Sequence, residues 1–244
     1  MRRRSGRRLA AALPAWLGSK APRDDAESGT VITHRRKVVA GVTVAGAGLL
    51  GASLSTEPAS WEFYALTVGV ASTWTAGGLA SGPLRLGWEQ APGQSVRRPV
   101  VTPVLVGAGA FVAFYGCALV ARRIPVLEHA LRSVLAYAHH GNDSMVLLTT
   151  LANGLGEEVF FRGAMYAAVG PRNPVALSSA AYALVTVLTR NPALVLAAGV
   201  MGTLFGVQRR ASGGIQAPIL THLTWSGLML RYLPPLFPPD REPA

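Results

Sequence analysis

The chain is short of cysteine, of lysine and of charge. Cys117 is its single cysteine, so no disulfide framework can staple it. That thiol lies in an apolar run, where a cysteine reads as a small buried hydrophobe. Only 14% of the 244 residues are charged, against about 25% in soluble globular proteins. Half are hydrophobic and the mean hydropathy is +0.33, which disfavours a water-soluble domain. Lys20 and Lys37 are the only lysines beside 21 arginines, and twelve acids leave a net charge of +11. A nucleic-acid binder gathers such charge on one face beside a packed core. Here the arginines punctuate long apolar runs instead, which excludes nucleic acid as a partner. No Gly-rich phosphate loop, nucleotide-binding signature or Cys/His zinc pattern appears.

What is present is a series of charge-free stretches. Segments 38–56, 63–84 and 99–121 run for 19, 22 and 23 residues, and roughly 20 apolar residues cross a hydrocarbon core. Segments 173–189, 191–208 and 211–230 are shorter and begin near Pro174, Pro192 and Pro218, residues tolerated in a helix's first turn. Segment 144–170 adds one more, interrupted by Glu157, Glu158 and Arg162. The expected fold is all-α: a polytopic membrane bundle of seven transmembrane helices, or eight if 125–138 crosses instead of forming an interfacial or re-entrant helix. With a cytoplasmic N-terminus, sixteen basic residues fall inside and six outside, in keeping with the positive-inside rule. The expected localisation is a bacterial plasma membrane, with the bilayer itself as a partner.

The regions divide accordingly. Residues 1–37 read as a basic, mostly disordered inner tail, 38–143 as N-terminal membrane helices with a connecting segment, 144–232 as the polar core, and 233–244 as a flexible Pro-rich tail. Trp61 and Trp88 sit at expected span ends, as interfacial anchors do. Gly202-Thr-Leu-Phe-Gly206 has the spacing for close helix packing, within the chain rather than between copies.

Charges inside a membrane segment cost about 2.5 to 3.5 kcal/mol each on insertion and usually mark function. The run GLGEEVFFRGAMY holds three. On an α-helix Glu158 and Arg162, four apart, form an ion pair, whereas Glu157 lies about 100° round and faces a neighbouring helix. One glutamate suffices to neutralise one arginine, so Glu157 is surplus. Its candidate partner is His222 in the last span, with Ser226 one turn further on the same face. The other histidines (His34, His129, His139 and His140) fall in tails and connecting segments. Two alternatives stand: a polar fastener between helices, or a site where imidazole and hydroxyl hold a water or a polarised carbonyl.

These residues resemble the CAAX protease and bacteriocin-processing family of intramembrane proteases (CPBP, also called Abi). Its hallmark, E-E-x-x-x-R in one membrane helix, is matched by Glu157, Glu158 and Arg162. The stretch GVQRRASGGIQAPILTH leads into the third motif, His-x-x-x-Asn, whose histidine falls at His222. The resemblance covers about 151–232. It departs from the family twice: the second motif, aromatic-x-x-x-His, reads Tyr182-Ala-Leu-Val-Thr186, and Ser226 stands for the third motif's Asn.

The resemblance implies an endopeptidase that hydrolyses a membrane-associated peptide. Glu157 would be the general base, His222 and Ser226 the oxyanion-binding pair, Glu158–Arg162 a supporting ion pair, and Thr186 would stand at the second activating position. A metal-free mechanism is the preferred expectation. A zinc-dependent one would use Glu157 and His222, with His139 or His140 as a third ligand. Because threonine is no base at neutral pH, a homologue that has lost hydrolysis and acts as a binding or scaffold protein is the alternative. A small transporter using the charges as a relay is a third.

Overall fold

The computed structural model describes residues 28–90 and 95–238. Eight helical rods account for nearly all of them: α1 (Gly29–Ser53), α2 (Trp61–Ala80), α3 (Val101–Ala121), α4 (Pro125–His140), α5, α6, α7 (Pro192–Ser212) and α8 (Gln216–Tyr232). Rod α5 is an α-helix over Asp143–Glu157 that widens into a π-helix over Glu158–Met165 and closes with one α-turn, Tyr166–Ala168. Rod α6 runs over Pro174–Thr186 and tightens to a 3-10 turn at Val187–Thr189. A two-residue antiparallel ladder, β1 (Glu89–Gln90) with β2 (Val96–Arg97), interrupts the loop before α3.

The helix starts follow local chemistry. Each helix leaves its first N–H groups without intrahelical partners, and an Asn or Ser oxygen accepts one of them. Ser60 Oγ takes Phe63 N at 3.1 Å, Asn142 Oδ1 takes Met145 N at 3.1 Å, and Asn191 Oδ1 takes Leu194 N at 3.1 Å. Pro125, Pro174 and Pro192 occupy first-turn positions of α4, α6 and α7.

Hydrogen bonds between rods define two ends of the bundle. At one, Arg36 Nε donates to Ala168 O (3.1 Å), Arg209 Nε to Arg162 O (2.8 Å), and Ile215 N to Arg85 O (2.9 Å). At the other, Tyr137 Oη donates to Thr56 O (2.7 Å), Asn142 N to Tyr64 Oη (3.0 Å), and Asn191 Nδ2 to Ala130 O (2.7 Å). Helix α4 joins this second end through Tyr137 and Ala130. Its 16 residues include Glu128, His129, Arg132, His139 and His140, too few and too polar for a crossing of about 20 apolar residues. Segment 125–138 thus lacks the length and apolarity of a crossing helix.

Helices α3 and α7, 21 residues each, are long and apolar enough to cross a membrane. Large apolar side chains such as Val44, Leu105, Val112, Leu184 and Val200 face outward. The core is aromatic: Trp74 of α2 is wholly buried, its ring 4.7 Å from that of Phe160 and 5.1 Å from that of Phe161. Gly46 of α1 makes room for that indole, since a Cβ there would overlap the Trp74 ring.

Four expectations change. The first helix begins at Gly29, not at 38, so 29–37 are helical, and 1–27 lie outside the described residues. Arg35 explains the extension: fully buried, it donates to Ser81 Oγ (3.1 Å) and Pro83 O (3.2 Å) just past the end of α2, where carbonyl groups lack helical partners. The C-terminal tail is folded as far as 238, because Phe237 packs with Leu233, Ala118 and Leu135; 239–244 lie outside the described residues. Cys117 is exposed, not buried, because α3 stands at the edge of the bundle with little of its surface covered. Helix α5 is not a uniform α-helix, which bears on the site below. The glycine pair behaves as expected within the chain: Cβ atoms at Gly202 and Gly206 would press on Tyr182, Ser179 and Val175 of α6.

Candidate active site

Every residue of the π-helical stretch, Glu158 to Met165, is buried. A helix buried all round is normally apolar all round, yet this one carries Glu158 and Arg162, both at 0% exposure. Buried charges must be paired. Arg162 Nη1 lies 3.3 Å from Glu158 Oε1, so the expected ion pair forms. The guanidinium also sits over aromatic faces, its Cζ 4.7 Å from the Tyr182 ring centre and 5.1 Å from that of Phe205. π-Turns are uncommon and concentrate at functional sites.

Helix α8 brings His222 to this cluster. Its Nδ1 is 2.9 Å from the same Glu158 Oε1. A carboxylate paired with arginine only accepts, so Nδ1 carries the hydrogen. The imidazole stacks on Phe205 of α7, centroids 4.7 Å apart and planes 21° from parallel. Its other nitrogen, Nε2, lies 3.9 Å from Glu157 Oε2.

Glu157, the last α-helical residue before the π-helical stretch of α5, is thus turned towards α6 and α8 and away from the ion pair. Its hydrogen-bond partner is Tyr182 of α6, whose Oη donates to Oε2 at 2.6 Å. The expected convergence of Glu157 with His222 is present. Glu158, expected only to pair with Arg162, also binds His222. Ser226 lies one turn beyond His222, buried, and no side-chain hydrogen bond joins it to the described residues. Thr186 is buried as well, but its hydroxyl donates back to Tyr182 O at 2.8 Å and makes no bond to Glu157 or His222.

Residues 142–228 match the family model described as Rce1-like, type II CAAX prenyl endopeptidase Rce1-like. The match agrees with the resemblance to the CAAX protease (CPBP) family carried by the motifs. No curated protein and no solved structure matches the chain. The match begins at the cap of α5 and ends two residues after Ser226, enclosing α5 to α7 and α8 as far as Leu228, and hence every group named above. The family is membrane-embedded and proteolytic, in keeping with α7 inside the match and α3 before it.

The CPBP motifs account for Glu157, Glu158, Arg162 and His222. Sequence reasoning missed Tyr182 as a polar participant, since the motif asks only for an aromatic there. It also missed Phe205, the platform for His222. The signal for Tyr182 was its hydroxyl: a tyrosine inside a membrane segment needs a hydrogen-bond partner, and Glu157 was the acid left without one.

Proposed function

We propose that this chain is an intramembrane endopeptidase that cleaves a membrane-associated peptide with a glutamate-activated water. The observation that carries the reading is the meeting of Glu157 and His222 across 3.9 Å. That gap is too long for a hydrogen bond, and a water seated off its axis reaches both groups at about 2.8 Å. Glu157 takes a proton from this water, whose oxygen attacks the peptide carbonyl. The oxyanion that forms meets His222 and Ser226. In its doubly protonated state the imidazole donates through Nε2, while Glu158 on Nδ1 steadies the charge. Oriented donors of this kind contribute about 10² to 10³-fold each, and general-base assistance about 10² to 10⁴-fold. Glu157 then returns its proton to the departing amine.

Zinc would supply a Lewis acid for the same water, and catalytic zinc takes three protein ligands. Among the described residues no group of three His, Cys, Asp or Glu is placed to hold a metal ion. His139 and His140, the candidates for a third ligand, are engaged on α4 with Phe237 O and Ala136 O, at 2.9 Å each. The donor set does not fit catalytic zinc.

The seven rods other than α4 are assigned as spans, with the N-terminus and the Arg36–Arg209 end on the cytoplasmic side, after the arginine distribution. A second reading, a homologue without hydrolysis that binds or scaffolds peptides, is favoured by one observation: the Thr186 hydroxyl is turned onto its own helix. The test compares wild type with Glu157→Gln on a library of membrane peptides in nanodiscs. Cleavage by wild type, reduced at least about 10²-fold in the variant, is the expected result. Peptide binding by both with cleavage by neither selects the scaffold.

A further inference from the structure

Neither the family motifs nor the water chemistry above uses the Tyr182 hydroxyl, although it makes a short hydrogen bond to the proposed base, 2.6 Å to Glu157 Oε2. Three helices fix that phenol. Phe161 of α5 packs against its ring with centroids 4.9 Å apart, and Arg162 covers a face at 4.7 Å. On α7, Gly202 leaves the space, since a Cβ there would come within 3.1 Å of the ring. Thr186, one turn further along the same face of α6, spends its hydroxyl on Tyr182 O. The place where the family carries an imidazole therefore offers Glu157 nothing, and a donor one turn earlier reaches it.

We infer that Tyr182 is the positioning residue of Glu157 and compensates for the absent second-motif histidine by orienting the base. The inference rests on the peptidase reading. The torsion that turns a carboxylate is broad and two-fold, so an unheld Glu157 would sample many orientations. Bound at Oε2 by the phenol, the carboxylate is held 3.9 Å from His222 Nε2, within reach of the water between them. One water O–H bond breaks as its proton passes to Glu157, a C–O bond forms at the carbonyl carbon, and the π pair moves onto oxygen. The C–N bond then breaks as Glu157 hands the proton to nitrogen. Tyr182 keeps its own proton throughout.

The experiment uses the full chain in nanodiscs with wild type, Tyr182→Phe, Thr186→His and the double variant. Tyr182→Phe keeps the ring and its contacts and removes only the donor. Its kcat is expected to fall about 10²-fold, the cost of misplacing a reacting group by about 1 Å, with KM little changed. Thr186→His alone retains wild-type turnover or better, and in the double variant it restores turnover to Tyr182→Phe. A second readout does not depend on turnover: labelling of Glu157 by a hydrophobic carbodiimide, followed by mass spectrometry. A carboxyl released from the phenol labels several-fold faster in Tyr182→Phe, and more slowly again in the double variant. Unchanged labelling in Tyr182→Phe overturns the inference, whether or not turnover falls. If wild type cleaves no peptide, the peptidase reading fails by itself, and faster labelling in Tyr182→Phe still upholds Tyr182 as the group that holds Glu157.

Discussion

Removing the two ends of the buried ion pair should cost unequal amounts, and the structure says which costs more. Glu158 and Arg162 are joined by one contact of 3.3 Å with both side chains fully buried. Arg162 Nε and Nη2 have no hydrogen-bond partner among the described residues, so its remaining support is the faces of Tyr182 and Phe205. Glu158 has a second partner in His222 Nδ1, at 2.9 Å. Breaking a buried pair from one side costs about 3 to 5 kcal/mol. Arg162→Met leaves a carboxylate that still accepts from His222, which places it at the lower end. Glu158→Leu strands the guanidinium and orphans Nδ1 together, which places it at the upper end. At about 2 to 4 °C per kcal/mol for a chain of this size, the melting temperature should fall by about 6 to 12 °C for Arg162→Met and by about 10 to 20 °C for Glu158→Leu. The double variant removes both charges and leaves mainly the unsatisfied Nδ1, worth about 1 to 3 kcal/mol, so it should melt above Glu158→Leu. Tryptophan fluorescence during heating in nanodiscs reads all three. Single variants within about 2 °C of wild type, or a double variant that melts at the sum of the two losses, would refute the pairing argument.

Ser226→Ala should lower kcat by about 10² to 10³-fold while KM holds, the cost of one oxyanion donor, and Ser226→Asn should retain turnover; steady-state kinetics on any cleaved peptide decides. Asn191→Ala removes the α7 cap and the bonds from Nδ2 to Ala130 O (2.7 Å) and Ser133 Oγ (3.1 Å) that tie α7 to α4. A loss of about 1 to 2 kcal/mol should appear in thermal unfolding without a change in the pH profile of turnover.

Helix positions were legible from charge-free runs because hydrocarbon tolerates few charges, and the caps at Ser60, Asn142 and Asn191 add sharp starts. Where a charge sits at a helix end the same rule misleads. Arg35 looked like tail but is buried at the end of α2, since a guanidinium can satisfy several carbonyls at once. Of the candidate site, the pairing of Glu158 with Arg162 and the approach of His222 to Glu157 followed from spacing and from counting charges. The bond from Tyr182 to Glu157 and the stack of Phe205 on His222 did not, because they join separate helices whose rotation no single-sequence pattern reports. The π-turn escaped for a related reason: its wider winding is set by what packs around it, from Leu84 and Ile215 at Gly163 to Val159 against Gly78.

The π-turn also explains how two adjacent glutamates come to differ. Glu157 closes the α-helical part of α5 and Glu158 opens the wide part, so the second acid enters the fully buried stretch with Arg162, while the first stays at its margin with 13% of its side chain exposed. A fastener between helices would neutralise both. Here the hydrogen-bond partner of Glu157 is a neutral phenol, and the nearest group able to carry positive charge to it stands off at 3.9 Å. Its carboxylate is oriented without being cancelled. That combination costs stability in a low-dielectric interior and contributes nothing to holding helices together that an apolar pair could not provide. The proposed reaction, which needs a free base beside a water, would give it a purpose.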